Sequence, residues 1–420
     1  MIKKIIKILK EDFTLIVGNY FQQFASIIFG VLIAKQLNPE AFGIFGLAIL
    51  VNNYLKFLNL GGQYSINKRL SLRTDSWTAY NYLNLNVIIY PIIIGIIMIV
   101  MLLFNLIPTL NSYYVYIWFF LCLDNAFQLI QGVIRAKGQS ELLGKSKIVT
   151  GAIIIILVPI FWYFNSENDP FPLFVKLLIV PFIGLIFLFS SKEVRNFIFI
   201  PKLKLSKNLK HYISEGVLLC IYVFAQDFLS SIDRFFIATY YSKYDLGLYS
   251  FAFSLASPIL LVLTTIMYMD YSRHMSLFKD STKTNFIELK NKMLKKFFSI
   301  YIILAILGSV FVYFLLQYYL VQYISSYFVV LVILLVYIPD IMCFPYTVYY
   351  VANGENKLII KIVIVGLILS VILNLSVVYL NANYIYIAGI TIIAKFVMYA
   401  LFKQKFKNLF YDSTTLQNNQ

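Results

Sequence analysis

The sequence predicts an all-α integral membrane protein: about twelve transmembrane helices in two parallel six-helix lobes around a central cavity. Three observations predict it. The 420 residues are 60% hydrophobic and only 13% charged, with a mean hydropathy of +0.80. Apolar runs long enough to cross a bilayer recur from end to end. Lysine and arginine alternate between rich and poor along the segments that join those runs.

A soluble domain of this length carries about twice the charge. The apolar runs leave no segment for a sizeable soluble domain, which excludes most enzymes that keep their chemistry in water. Met1 to Lys10 resembles the basic start of a signal peptide, but Glu11 and Asp12 interrupt it and no small-x-small cleavage site follows the first apolar run. Lys3, Lys4, Lys7 and Lys10 alternate with Ile and Leu at helical spacing, so an amphipathic interfacial helix leading into the first span is expected. Cys122, Cys220 and Cys343 fall singly inside apolar runs, and His211 and His274 sit beside basic segments. That spacing fits neither a zinc site nor a redox pair, and neither metal nor other cofactor is expected.

A span takes about 20 apolar residues. The spans are placed at 13–34, 42–66, 78–104, 113–134, 142–164, 171–191, 211–240, 245–270, 297–317, 323–351, 357–380 and 384–403. The prolines make 323–351 the least regular of them. Orientation follows from the cations. The N-terminus, 67–75, 135–147, 192–210, 271–296, 353–361 and the C-terminus hold 29 of the 35 Lys and Arg residues. The alternate segments, 35–41, 105–112, 165–170, 241–244, 318–322 and 381–383, hold only Lys35 and Lys243. Both ends therefore lie in the cytoplasm. The net charge of +16 needs no nucleic acid to explain it, and the basic loops can meet anionic membrane lipids. The short outer segments leave no room for an external catalytic domain, and 192–210 and 271–296 are read as interfacial linkers.

The halves carry matching turns. Leu37-Asn38-Pro39-Glu40-Ala41-Phe42-Gly43-Ile44-Phe45 opens the second span, and Tyr241-Ser242-Lys243-Tyr244-Asp245-Leu246-Gly247-Leu248-Tyr249 opens the eighth, 204 residues on. Ala136-Lys137-Gly138-Gln139 and Ala352-Asn353-Gly354-Glu355 match at an offset of 216, which also sets Asp124 on Asp340. An offset of six spans preserves orientation, so the repeat is parallel. The lobes are 1–191 and 211–420, joined by a basic cytoplasmic linker at 192–210.

Ionisable groups lie inside several spans: Lys56, Asp124, Asp227, Arg234, Asp340 and Lys395, with Lys176 and Asp233 nearer the outer surface. Each costs roughly 2.5–3.5 kcal/mol if left in lipid, so six cost on the order of 15–20 kcal/mol. That exceeds the net stability of most folds, about 5–15 kcal/mol, so these groups must face protein or a watery cavity. Their spacing agrees. Asp124, Gln128, Gln131 and Arg135 line one helix face, as do Asn52, Lys56 and Asn59, and as do Asp227, Ser230, Ser231 and Arg234. Asn19, Gln22, Gln23 and Ser26 add polar groups on the first span. Two roles stand open for all of them: buried pairs that hold helices together, or the lining of a pathway. Lys56 and Lys395 have no acid within a turn on their own helix, which favours the lining. Asp124 and Asp340 are either a proton or cation site or equivalent packing carboxylates, with packing slightly favoured.

The stretch Ser231-Ile232-Asp233-Arg234-Phe235-Phe236-Ile237 with Asp245-Leu246-Gly247-Leu248-Tyr249-Ser250-Phe251-Ala252 resembles the span 7–8 region of bacterial Wzx-type polysaccharide flippases. The approach Ala34-Lys35-Gln36-Leu37 and the turn Pro39-Glu40-Ala41-Phe42-Gly43-Ile44-Phe45 look like the family's first outer turn. The likeness covers essentially the whole chain and points to the multidrug/oligosaccharidyl-lipid/polysaccharide transporter superfamily, with a fold like that of its MATE members.

This resemblance implies a flippase moving undecaprenyl-pyrophosphate-linked oligosaccharide across the cytoplasmic membrane, by alternating access of two lobes, for O-antigen or capsule assembly. It implies a cationic cavity of Lys56, Lys176, Arg234 and Lys395, with only the Asp233–Arg234 pair carried over by motif. Asn52, Asp124, Gln128, Gln131, Asp227, Asp233 and Asp340 would supply its acidic and polar lining. The implied partners are the lipid-linked substrate, a polysaccharide polymerase, a chain-length regulator, and H+ or Na+ as coupling ion. The competing readings are a MATE-like cation-coupled drug exporter, a peptidoglycan-precursor flippase, and a membrane polymerase or acyltransferase. Cations among the acids argue against the first, and twelve spans rather than fourteen against the second. Short outer segments without intramembrane histidine argue against the third.

Overall fold

A computed structural model describes residues 2–59, 61, 76–136, 139–164, 168–191, 217, 220–221, 223–279 and 282–417. The regular secondary structure of these residues is helical. Among the described residues, eleven helices are long and apolar enough to cross a membrane. The remaining expected span, 211–240, is not among them and falls in part on residues outside the description (211–216, 218, 219 and 222); the basic segments 67–75 and 192–210 and the turn at Lys137 and Gly138 lie outside it.

The chain divides into two compact units, Met1–Phe224 and Ala225–Gln420. The first contains α1 (Ile2–Ala34), α2 (Pro39–Leu55), α3 (Ser76–Leu103), α4 (Tyr114–Ala136), α5 (Ser140–Phe164) and α6 (Phe171–Ser190). The backbone of α1 is one helix through both the expected interfacial stretch and the first span. Asn38 caps α2: its side chain accepts the Ala41 N–H at 2.8 Å, and Pro39, whose missing N–H costs nothing there, follows it. On α3, Ile88, Ile92, Ile96, Ile99 and Leu103 recur every three or four residues and are all exposed. Such a stripe is unstable in water and natural against hydrocarbon.

Between helices in lipid, close packing replaces the hydrophobic effect. The contact of α1 with α5 shows how. Gly18 faces Gly144, and a Cβ added at Gly144 would lie 2.5 Å from the Thr14 backbone. Only glycine lets the two backbones meet. Across the unit, Phe127, Ile130 and Ile134 of α4 pack with Leu143 of α5 and with Leu185 and Leu188 of α6.

The second unit contains α7 (Ile232–Tyr240), α8 (Lys243–Phe278), α9 (Lys283–Tyr318), α10 (Ser326–Ala352), α11 (Asn356–Tyr379) and α12 (Ile385–Gln417). Ser242 and Asp245 form a reciprocal capping box at the start of α8, so Asn38 and Ser242, 204 residues apart, are both helix N-caps. The irregular 323–351 segment is a single α-helix from Ser326 on, with Pro339 and Pro345 inside it. Most of the 271–296 segment, expected as a loop, is helical: α8 continues to Phe278, and Thr282 caps α9. At about 1.5 Å per residue α8 and α9 are each about 54 Å long, against a hydrocarbon core of about 30 Å, so the polar residues extend the helices past the lipid. Phe278 and Phe286 lock this hairpin to Tyr349 of α10 and Phe406 of α12, with ring centroids 4.1 Å apart for Phe286 and Phe406.

Among the described residues, four helix pairs recur in the two units. In the first, α1 packs on α5, α3 on α4, and α6 on both α4 and α5. In the second, α7 packs on α11, α9 on α10, and α12 on both α10 and α11. Each of these pairs recurs six helices later.

Candidate functional site

Polar side chains gather in two places, one in each unit. In the first, the α-helix of α2 tightens at Lys56 into a 3-10 turn over Lys56–Asn59. This change frees main-chain carbonyls at membrane depth, where each must find a donor. Side chains supply them: the Tyr90 hydroxyl donates to the Leu55 carbonyl at 3.2 Å, the Asn86 amide to that of Asn59 at 2.8 Å, and the Cys220 thiol to that of Phe57 at 3.4 Å.

The same turn opens a cavity of about 200 Å³ whose polar lining is Lys56, Asn59, Tyr90, Asp124, Asn125 and Gln128. A chain of amides runs along it. Asn59 Nδ2 donates to Asn125 Oδ1 at 3.3 Å, and Asn125 Nδ2 to Asn86 Oδ1 at 3.1 Å. Because Asn86 in turn donates to the main chain, each amide is held in one orientation. Gln128 Nε2 stands 3.5 Å from Asp124 Oδ1, one turn apart on α4. Lys56 and Asp124 both line this cavity, and the Lys56 ammonium lies 4.9 Å from the Phe57 ring centroid.

The other expected residues of this unit stand apart from the cavity lining. Asn52 is buried one turn before Lys56, and neither atom of its amide has a hydrogen-bond partner. Gln131 is buried on α4, whereas Arg135 at the helix end is exposed. Lys176 on α6 holds its ammonium 5.6 Å from the ring centroid of Phe29 on α1. Asn19 accepts a hydrogen bond from Lys147, which joins α1 to α5.

In the second unit the expected continuous face of Asp227, Ser230, Ser231 and Arg234 is interrupted. The Ser231 hydroxyl donates to the Asp227 carbonyl at 2.7 Å, the chain turns at Ser230 and Ser231, and α7 begins only at Ile232. A serine that bonds back to the main chain competes with the helix. Asp227 is thus on the preceding helical stretch, half-buried, and Asp233 and Arg234 are in the first turn of α7. Asp233 is buried. It accepts the Tyr249 hydroxyl from α8 and, at 2.7 Å, the backbone N–H of Arg234. The Arg234 guanidinium carbon lies over the Phe253 ring, 4.1 Å from its centroid, and its Nε is buried without a hydrogen-bond partner.

Lys395 of α12 and Asp340 of α10 form an ion pair at 2.7 Å, with the Lys395 ammonium also 5.4 Å from the Tyr337 ring centroid. The Tyr301 hydroxyl of α9 donates to the Leu334 carbonyl. That carbonyl lies beside the one that Pro339 leaves without its usual donor. Asp124 and Asp340, aligned in sequence, therefore differ in setting: Asp340 is paired with a lysine of α12, whereas Asp124 shares a cavity with Lys56 of the 3-10 turn that follows α2. Among the described residues no group of three or more His, Cys, Asp or Glu side chains is placed to hold a metal ion.

Sequence reasoning passed over Asn86, Asn125 and Tyr90 in the first unit and Phe253 in the second, and it marked Tyr249 only within the matched turn, not as a partner of Asp233. Asn86 and Asn125 were visible as amides inside apolar runs. Tyr90 carried no signal, being one of 33 tyrosines spread along the chain.

Long apolar helices, with their charges gathered into buried polar clusters, define a multi-pass helical membrane protein. Its fold is that of solved transporters. The lipid II flippase MurJ in an inward closed conformation superposes with a TM-score of 0.72 at 13% identity, covering 94% of this chain and 87% of that one. An inward-facing multidrug resistance MATE family transporter of the MOP superfamily gives 0.66 at 13% identity, covering 92% and 95%. An outward-facing member of that family gives 0.57 at 16% identity, covering 96% of each. No curated protein sequence matches the chain. A family model described as polysaccharide biosynthesis protein matches residues 8–269, and the chain belongs to that family.

Proposed function

We propose that this protein is a flippase that carries an undecaprenyl-pyrophosphate-linked oligosaccharide across the cytoplasmic membrane for O-antigen or capsule assembly. One observation carries the reading: a member of the polysaccharide biosynthesis family keeps a cavity of amides, a lysine and a carboxylate among membrane-spanning helices. Lipid-facing packing alone has no use for such a lining, whose burial is costly.

In this reading the protein is a transporter rather than an enzyme. Its lobes are 1–191 and 211–420, on either side of the 192–210 linker, and they alternate access around a central cavity. The recurrence of the same helix pairs six helices on supports a duplication behind them. Lys56, Lys176, Arg234 and Lys395 supply positive charge along the path of an anionic cargo, Lys395 already balanced by Asp340. Both ends lie in the cytoplasm, as the lysine and arginine asymmetry requires. A polymerase and a chain-length regulator act downstream, and H+ or Na+ drives the cycle. The mixed signs of charge favour this reading over a MATE-like drug exporter.

The test is deletion of the gene, followed by extraction of polyprenyl-linked intermediates and measurement of their leaflet. Lipid-linked oligosaccharide accumulating on the cytoplasmic leaflet is the expected result. Unpolymerised units outside the cell would identify a polymerase and overturn the proposal.

A further inference from the structure

The cavity beside Lys56 is suited to a sugar and poorly suited to a pyrophosphate. A pyrophosphate taken out of water needs a surplus of positive charge. Here the lining holds one lysine and one carboxylate, so its formal charges balance. What remains is a set of groups that both donate and accept: the amides of Asn59, Asn125 and Gln128 and the hydroxyl of Tyr90. Tyr90 gives its proton to the Leu55 carbonyl, which leaves its oxygen as an acceptor. Asn59 and Asn125 are held by the chain that ends on the Asn59 carbonyl, so they meet a ligand without first being ordered. The volume agrees. About 200 Å³ is below the roughly 300–1,000 Å³ of pockets for drug-sized ligands and holds the displaced equivalent of about six or seven waters at ~30 Å³ each. A single sugar ring fits that space, whereas an oligosaccharide does not.

We propose that this cavity of the first unit is a recognition subsite for one uncharged sugar residue of the cargo, and that the pyrophosphate is held elsewhere. The inference rests on the flippase reading and names what this part of the path recognises. A site whose hydrogen-bonding groups are prearranged selects strongly against a ligand that lacks the matching hydroxyls.

The test compares two probes on purified protein in nanodiscs: lipid-linked oligosaccharide extracted from the deletion strain, and bare undecaprenyl pyrophosphate. Wild type is expected to bind the glycosylated carrier at least about tenfold more tightly, a difference of about 1.4 kcal/mol. Gln128→Ala should remove most of that preference and leave bare-carrier affinity unchanged. Asp124→Asn, nearly isosteric, should make the lining cationic and strengthen bare-carrier binding. Equal losses for both probes in Gln128→Ala, or unchanged binding of both probes in both variants, would overturn the sugar subsite while leaving the flippase reading intact. Wild type that binds neither probe would overturn both.

Discussion

The Lys395 ammonium lies 2.7 Å from Asp340 Oδ2, and this contact ties α12 to α10 beside Pro339. The two partners differ in exposure. The Lys395 side chain is 7% exposed and that of Asp340 40%, so the lysine depends on the carboxylate more than the carboxylate depends on it. A buried ammonium in hydrocarbon surroundings needs its counter-charge, whereas Asp340 has a second outlet in the space it faces.

Removing the carboxylate is therefore the more damaging change. Asp340→Ala should destabilise the protein by about 1.5–3 kcal/mol, the range for hydrogen bonds to charged groups, and Lys395→Ala by less. Lys395→Met with Asp340→Leu should recover most of the loss, because apolar side chains suit both positions. Thermal unfolding of detergent-purified variants measures the three values. A double variant no more stable than Asp340→Ala would contradict the pairing.

The buried Asp233 is held by the Tyr249 hydroxyl from α8 and the first turn of α7. Tyr249→Phe removes one charge-assisted hydrogen bond without changing shape. It should lower stability by about 1.5–3 kcal/mol. Tyr244→Phe, on an exposed tyrosine of the same helix, should stay within about 0.5 kcal/mol of wild type.

Gly144 and Gly30 make opposite predictions. A side chain at Gly144 meets the Thr14 backbone, while one at Gly30 meets nothing within 4 Å. Gly144→Leu should push α1 and α5 apart and cost about 1–3 kcal/mol as an overpacked contact. Gly30→Ala should be neutral or gain up to about 1 kcal/mol from helix propensity. Fluorescence-detected size-exclusion chromatography after graded heating compares them directly.

Lys56→Ala and Arg234→Ala should each lower surface polysaccharide severalfold with membrane protein level unchanged. Arg234→Lys should also be impaired, since an ammonium lacks the planar guanidinium that stands over the Phe253 ring. Quantitative immunoblotting of polysaccharide and of the protein separates transport from folding. Full surface polysaccharide in the two alanine variants would remove the role assigned to these cations.

Much of the fold was legible because lipid simplifies the problem. Main-chain groups in hydrocarbon must be satisfied within the segment, so an apolar run of sufficient length is a helix. The Asn38-Pro39 and Ser242-x-x-Asp245 turns were readable as well, since capping is local chemistry. The site was legible only in part. Lys56, Asp124 and Gln128 were marked by charge or polarity at helical spacing, and they do share one cavity. Asn86 and Asn125 were marked equally by polarity, but nothing local says that they bond to each other across 39 residues. The interruption at Ser230 and Ser231 was hidden because a hydroxyl's choice between solvent, neighbour and main chain depends on what surrounds it.

By itself, then, the sequence determined that this chain is a stack of membrane-crossing helices, where most of those helices lie, and that its buried charges must meet protein or water. Those conclusions follow from transfer energies that each residue carries wherever it sits. Only the tertiary structure decided the partners: Asp340 with Lys395 from α12, and Asp233 with Tyr249 from α8. Both of these contacts act over a few ångströms between residues 55 and 16 apart in sequence. Their strength falls steeply with distance, so they exist only once packing has brought the helices together.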